Sequence, residues 1–144
     1  MSAQPKIDPS RLIAAFPEVD PGLVPFGERV LIQLRTPKSR SEGGIILTEE
    51  VKETEKWNVQ VGKVVALGPT AFKNRDTLES WPEGAWCQVG DFVRIPKYGA
   101  DRWFVPIPGK RSIDQEDFAL FVLIKDLEIG GQVVCDPLSV IAFI

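Results

Sequence analysis

Apolar and polar residues alternate most cleanly over Arg29 to Arg35 (R-V-L-I-Q-L-R). Val30, Ile32 and Leu34 point one way, and Arg29, Leu31, Gln33 and Arg35 the other. A period of two is the pattern of a β-strand. A second strand is predicted over Val59 to Leu67 (V-Q-V-G-K-V-V-A-L), stopped by Gly68-Pro69. Val89-Gly90-Asp91 leads into a third, Phe92 to Ile95. Trp103 to Ile107 reads as a short strand at a sheet edge, because Pro106 and Pro108 give no N–H to a ladder. Phe118 to Ile124 (F-A-L-F-V-L-I) is a nearly continuous apolar run, the pattern of a buried strand. Gly130-Gly131 predicts a break, Val133-Val134 a brief strand, and Val140 to Ile144 an apolar strand-like end.

Two long connections interrupt this pattern. The first runs from Thr36 to about Lys56 and contains S-E-G-G-I-I-L-T at Ser41 to Thr48. Ile45, Ile46 and Leu47 follow a glycine pair, with T-P-K-S-R-S-E before and T-E-E-V-K-E-T-E-K after. A segment with so little to bury does not offset its own ordering entropy, so a mobile loop is expected. Apolar residues in such a loop point to an anchor for a partner. The competing assignment is a short core strand, which the polar flanks disfavour. Glu49 to Lys56 is either a solvated stretch or a helical turn or two with Glu49/Lys52 and Glu53/Lys56 pairs. The second connection, Thr70 to Gln88, carries turn signals at Trp81-Pro82 and Glu83-Gly84. At the N-terminus, Asp8-Pro9-Ser10 is placed to start a short helix through about Phe16, ended by Pro17. Pro21-Gly22 then makes a turn. Residues 1–24 form an extension: a docked arm, a frayed tail or a partner-binding arm.

Composition narrows the function. The chain has 144 residues, enough for one compact domain. Its 12 Pro and 12 Gly favour short strands over long helices. These features together predict an all-β barrel or sandwich. The net charge of −3 disfavours a nucleic-acid partner, which calls for a basic face. With no His and only Cys87 and Cys135, a zinc site has no ligand set and the commonest general base is missing. No other cofactor site is visible. Neither a signal-peptide pattern nor an 18-residue apolar stretch is present, so the expected setting is the cytoplasm, with both cysteines reduced and buried.

The order of these pieces resembles the GroES co-chaperonin family. Pro25 to Leu34 (P-F-G-E-R-V-L-I-Q-L) is similar to that family's opening strand. Gly43-Gly44-Ile45-Ile46-Leu47 is similar to its mobile-loop signature, and Gly62 to Gly68 to its G-x-V-x-x-x-G strand. Val89-Gly90-Asp91 and Tyr98-Gly99 follow in the family's order. The resemblance spans roughly residues 25 to 105. It implies a small GroES-like β-barrel, residues 25–144, with a mobile loop at about 36–56 and a roof-type hairpin at about 69–88. It further implies a ring of seven subunits that lids an ATP-loaded GroEL-type chaperonin and encloses unfolded substrate protein. By motif match, Ile45, Ile46 and Leu47 contact the chaperonin, and Gly43 and Gly44 provide the turn that presents them. The family's terminal strand pairs with a neighbouring subunit; either Phe121 to Ile129 or Ser139 to Ile144 is available here, and the last segment is favoured. The chain departs from the family in its N-terminal extension, its Trp81 and Trp86 in the roof region, and its longer C-terminal part. Such lengthening resembles bacteriophage-encoded members.

Burying each of three aliphatic side chains is worth roughly 1.5–3 kcal/mol. Ordering a loop of this length takes back about several kcal/mol. One loop then binds weakly, whereas several on one ring bind together, because each later contact is intramolecular. Two other functions compete. The GroES-like barrel also occurs in zinc-type dehydrogenases, but this chain has no metal ligand set and no G-x-G-x-x-G dinucleotide motif. A small β-barrel that binds peptide, or serves as a structural module, also fits the composition; it predicts a monomer, where the lid predicts a ring.

Overall fold

The computed structural model describes residues 9–36, 61–96, 100–113, 117–135 and 137. The described part is mostly β-structure. One short helix, α1 (Pro9–Ala15), precedes six strands: β1 (Arg29–Leu34), β2 (Val61–Leu67), β3 (Phe92–Arg94), β4 (Asp101–Pro106), β5 (Phe118–Lys125) and β6 (Gly131–Gln132). They form one antiparallel sheet in the order β4-β5-β1-β2-β3-β6. This is the all-β architecture expected from the alternation.

The central strand β1 pairs with β5 from Arg29↔Lys125 to Leu34↔Leu120 and with β2 from Val30↔Leu67 to Leu34↔Gly62. The β1–β2 register slips between Leu31 and Ile32, leaving Val65 without an opposite residue. Such a bulge increases local twist and helps a sheet curl round its core. The inner face supplies Val30, Ile32, Leu34, Val64, Val93, Leu120, Val122 and Ile124, joined by Phe72, Cys87, Ile95 and Ile129 in one buried cluster. A second cluster lies on the opposite face, around Leu31, Ala119 and Phe121, with Val19, Leu23, Trp103 and Val105 packed on it. Both faces of β1 and β5 are therefore covered, which is why β5 reads as an unbroken apolar run.

The glycine motif of β2 has a steric cause. A Cβ on Gly62 would lie 2.3 Å from Ile32 Cγ2 and 3.0 Å from the Gln33 carbonyl oxygen. On Gly68 it would lie 2.2 Å from the Gly27 carbonyl oxygen and 2.8 Å from that of Arg29. The Val89-Gly90-Asp91 motif folds onto the same strand: Gly90 N–H donates to the Val64 carbonyl (2.9 Å), and Val64 N–H to that of Asp91 (2.8 Å). Gly90 makes this turn with φ +99°, a conformation that side chains rarely adopt.

The structure differs from the sequence expectation at three places. The last described strand is Gly131–Gln132, not Val133-Val134. Gly131 lies within the strand rather than breaking the chain, and the pairing is extended on either side by the Gly130 N–H to the Arg94 carbonyl (2.9 Å) and the Val133 N–H to the Phe92 carbonyl (2.7 Å). A two-residue strand is too short to carry a periodic signal. Of the two cysteines, both free, Cys87 is buried and Cys135 is exposed. Burial, and secondarily the charge of Asp91, push the Cys87 thiol up to about 11. Finally, β5 is paired with β1 through Lys125 and with β4 as far as Leu123, so Phe121 to Leu123 has no free edge for a neighbouring subunit. The favoured segment, Ser139 to Ile144, lies outside the described residues, as does Tyr98.

Candidate functional site

The first long connection leaves the sheet at the end of β1 and rejoins it at the start of β2, its two central strands. Leu34 is the last β1 residue in the β1–β2 ladder and pairs with Gly62. On the returning side, Val61 is fixed by Arg94 of β3. Beyond Leu34 the backbone is held by the N-terminal arm: Thr36 N–H donates to the Ala15 carbonyl at 2.8 Å. Thr36 is buried, and among the described residues its Oγ1 has no hydrogen-bond partner. The predicted contact residues Gly43, Gly44, Ile45, Ile46 and Leu47 lie outside the described residues, as does the Glu49 to Lys56 flank.

The described part of the N-terminal extension, residues 9–24, is docked, one of the three alternatives open in the sequence. Phe16 is buried and meets Phe92 of β3 edge-on, ring centroids 5.1 Å apart. The Gln33 side-chain amide donates to the Pro17 carbonyl at 2.8 Å. Asp20 accepts the Gly22 N–H at 2.9 Å, forming the expected turn, with Gly22 at φ +72°. Val19 and Leu23 pack on the outer cluster, and Trp103 of β4 donates its indole N–H to the Pro21 carbonyl at 3.2 Å. The arm thus straps the outer face from β3 to β4. Two sequence signals point to this cover: the unbroken apolar run of β5, and Gln33 as a lone amide among apolar neighbours.

The second connection is a folded cap on the core. Phe72, Trp81 and Trp86 form an aromatic group, with Phe72–Trp81 centroids at 5.5 Å and Trp81–Trp86 at 4.8 Å. Both tryptophans pack against the inner cluster. An isolated bridge, Lys73↔Ser80, closes a small hairpin whose tip is organised by Asn74, its Oδ1 accepting the N–H groups of Asp76 (2.9 Å) and Thr77 (3.2 Å). Its base is locked by a residue the sequence does not flag. Asp126 is buried in a 3-10 turn (Asp126–Glu128), where Oδ2 accepts the Phe72 N–H at 2.9 Å and Oδ1 the Leu127 N–H at 2.8 Å. Phe72 sits at φ +60°, unfavourable for a bulky residue, and the buried charged hydrogen bond holds it there. In the sequence Asp126 looks like one more solvated charge in K-D-L-E.

A cleft of about 290 Å³ beside β6 is lined by Trp86, Val93, Ile129, Gly130, Gly131 and Gln132, none of which titrates near neutral pH. Among the described residues no group of His, Cys, Asp or Glu is arranged to hold a metal ion. No helix among them is long and apolar enough to cross a membrane.

A mostly β protein in which a connection of more than twenty residues joins the two central strands, β1 and β2, is the class that this geometry defines. Residues 22–127 match the family of the chaperonin 10 Kd subunit, Cpn10. Over 105 residues the chain is 37% identical to the co-chaperonin GroES of Tetragenococcus halophilus, an alignment that covers 73% of this chain and 94% of that protein. The chain belongs to the chaperonin 10 Kd subunit family. The Ser41 to Thr48 octet falls inside the matched region, whereas residues 1–21 precede it.

Proposed function

We propose that this chain is a co-chaperonin: several copies, seven by the family's pattern, close into a ring that lids an ATP-bound GroEL-type chaperonin while substrate protein folds inside. The observation that carries this reading is the family match over 22–127, with the G-G-I-I-L motif in the connection between two paired strand ends. Ile45, Ile46 and Leu47 bury themselves in an apolar groove of the chaperonin, and Gly43-Gly44 turns the chain to present them. Residues 25–144 form the working subunit, residues 1–24 its extension, and the segment from about 69 to 88 its roof. The role is mechanical, without catalysis or cofactor, and it is exercised in the cytoplasm.

The weak-loop arithmetic supports the design. Each docked loop gains three buried side chains and loses loop entropy, so the ring holds through several loops at once and comes off when the chaperonin changes state. Limited proteolysis tests the docking. Cleavage between Thr36 and Lys56 is expected to be fast for the protein alone and at least about tenfold slower with chaperonin and ATP, since a docked segment is cut only from its open state. Equal cleavage in both conditions would count against this reading.

A further inference from the structure

We propose that the N-terminal arm is a positioning element for the docking loop: by fixing the chain at Thr36, it sets how strongly the loop engages the chaperonin. The inference rests on the docking function above and adds to it a role for a segment that precedes the family match. The β1–β2 ladder ends at Leu34↔Gly62. The arm carries order two residues further, through the Thr36 N–H to Ala15 carbonyl bond (2.8 Å). Two adjacent contacts keep Ala15 in place. Phe16, buried, abuts Phe92, and Pro17 accepts the Gln33 side-chain amide. Farther along, the Trp103 indole holds Pro21, so the strap is tied down at both ends.

The consequence is entropic. A residue whose backbone is already ordered adds nothing to the ordering cost of docking, whereas a freed residue does. Holding Thr36 also fixes the direction in which the loop starts. Loosening the arm should therefore weaken docking without touching any contact residue. The expected loss is about threefold per loop, a fraction of the ordering entropy of one residue, and loops on one ring compound it.

The test compares the full-length wild type with Phe16→Ala and with the milder Gln33→Leu, which removes the amide donor and puts an apolar side chain of similar size in its place. Hydrogen exchange is read at the Thr36 amide and, as a control, at Leu31 in mid-strand. Affinity for an ATP-loaded GroEL-type chaperonin is read by titration. The expected result is at least about tenfold faster exchange at Thr36, unchanged exchange at Leu31, and at least about threefold weaker binding. Should Phe16→Ala not fold, Gln33→Leu carries the test. Faster exchange at Thr36 with undiminished binding would overturn the coupling, and so would unchanged exchange at Thr36. A wild type that does not bind the chaperonin overturns the docking reading itself, a result distinct from either of these.

Discussion

Changing Ile45, Ile46 and Leu47 together to Ser is expected to abolish refolding of a chaperonin-dependent substrate while leaving the subunit folded. Each substitution removes roughly 1.5–3 kcal/mol of burial from every docked loop. The remaining contact would not repay the ordering of the segment, and a ring of such loops multiplies the deficit. The three positions fall between β1 and β2, and a melting curve checks that the triple variant stays folded. Refolding yield and the melting curve together decide the matter. Unchanged rescue by the folded triple variant would remove these residues from the interface.

The largest expected effect on stability comes from Gly68→Ala. The added methyl would stand 2.2 Å from the carbonyl oxygen of Gly27 and 2.8 Å from that of Arg29. These are backbone atoms and have no rotamer to escape into. Gly68 N–H also donates to the Arg29 carbonyl at 2.8 Å, and Thr70 N–H to that of Gly27 at 3.1 Å. Separating the strands to admit the methyl would lengthen both bonds. A loss of about 3 kcal/mol is expected, at the upper end for overpacking. Denaturant unfolding measures it, and a loss under about 1 kcal/mol would show that the two backbones separate without strain. The same close approach of backbones explains why the G-x-V-x-x-x-G spacing ends on a glycine.

Most of the sheet was legible because its strands are long enough to show a period. Arg29 to Leu34 alternates, Phe118 to Ile124 is apolar throughout, and Pro106 marks the edge strand β4. The tryptophans of the second connection pack on Phe72 and the inner cluster. What escaped depends on contacts between distant residues. No local pattern brings Pro21 to Trp103 or Asp126 to Phe72, and a two-residue strand such as β6 has no period to read. Cys135 follows the general tendency of cysteine to be buried only until its neighbours are known; at the end of the described chain it is exposed. The candidate site is legible in a different way. Its G-G-I-I-L motif is visible in the sequence, and the structure contributes its root, Leu34 to Thr36 on one side and Val61 on the other. The arm that holds this root became meaningful only once Ala15, Phe16 and Gln33 were seen together.

As a co-chaperonin, the chain is expected to act as a ring on a chaperonin. Electron micrographs of the protein mixed with a GroEL-type chaperonin and ATP test it most directly. The expected image is a chaperonin cylinder capped at its end by a dome with seven-fold symmetry, absent when nucleotide is left out. Uncapped cylinders beside free monomers, at concentrations where a known co-chaperonin caps them, would contradict the account.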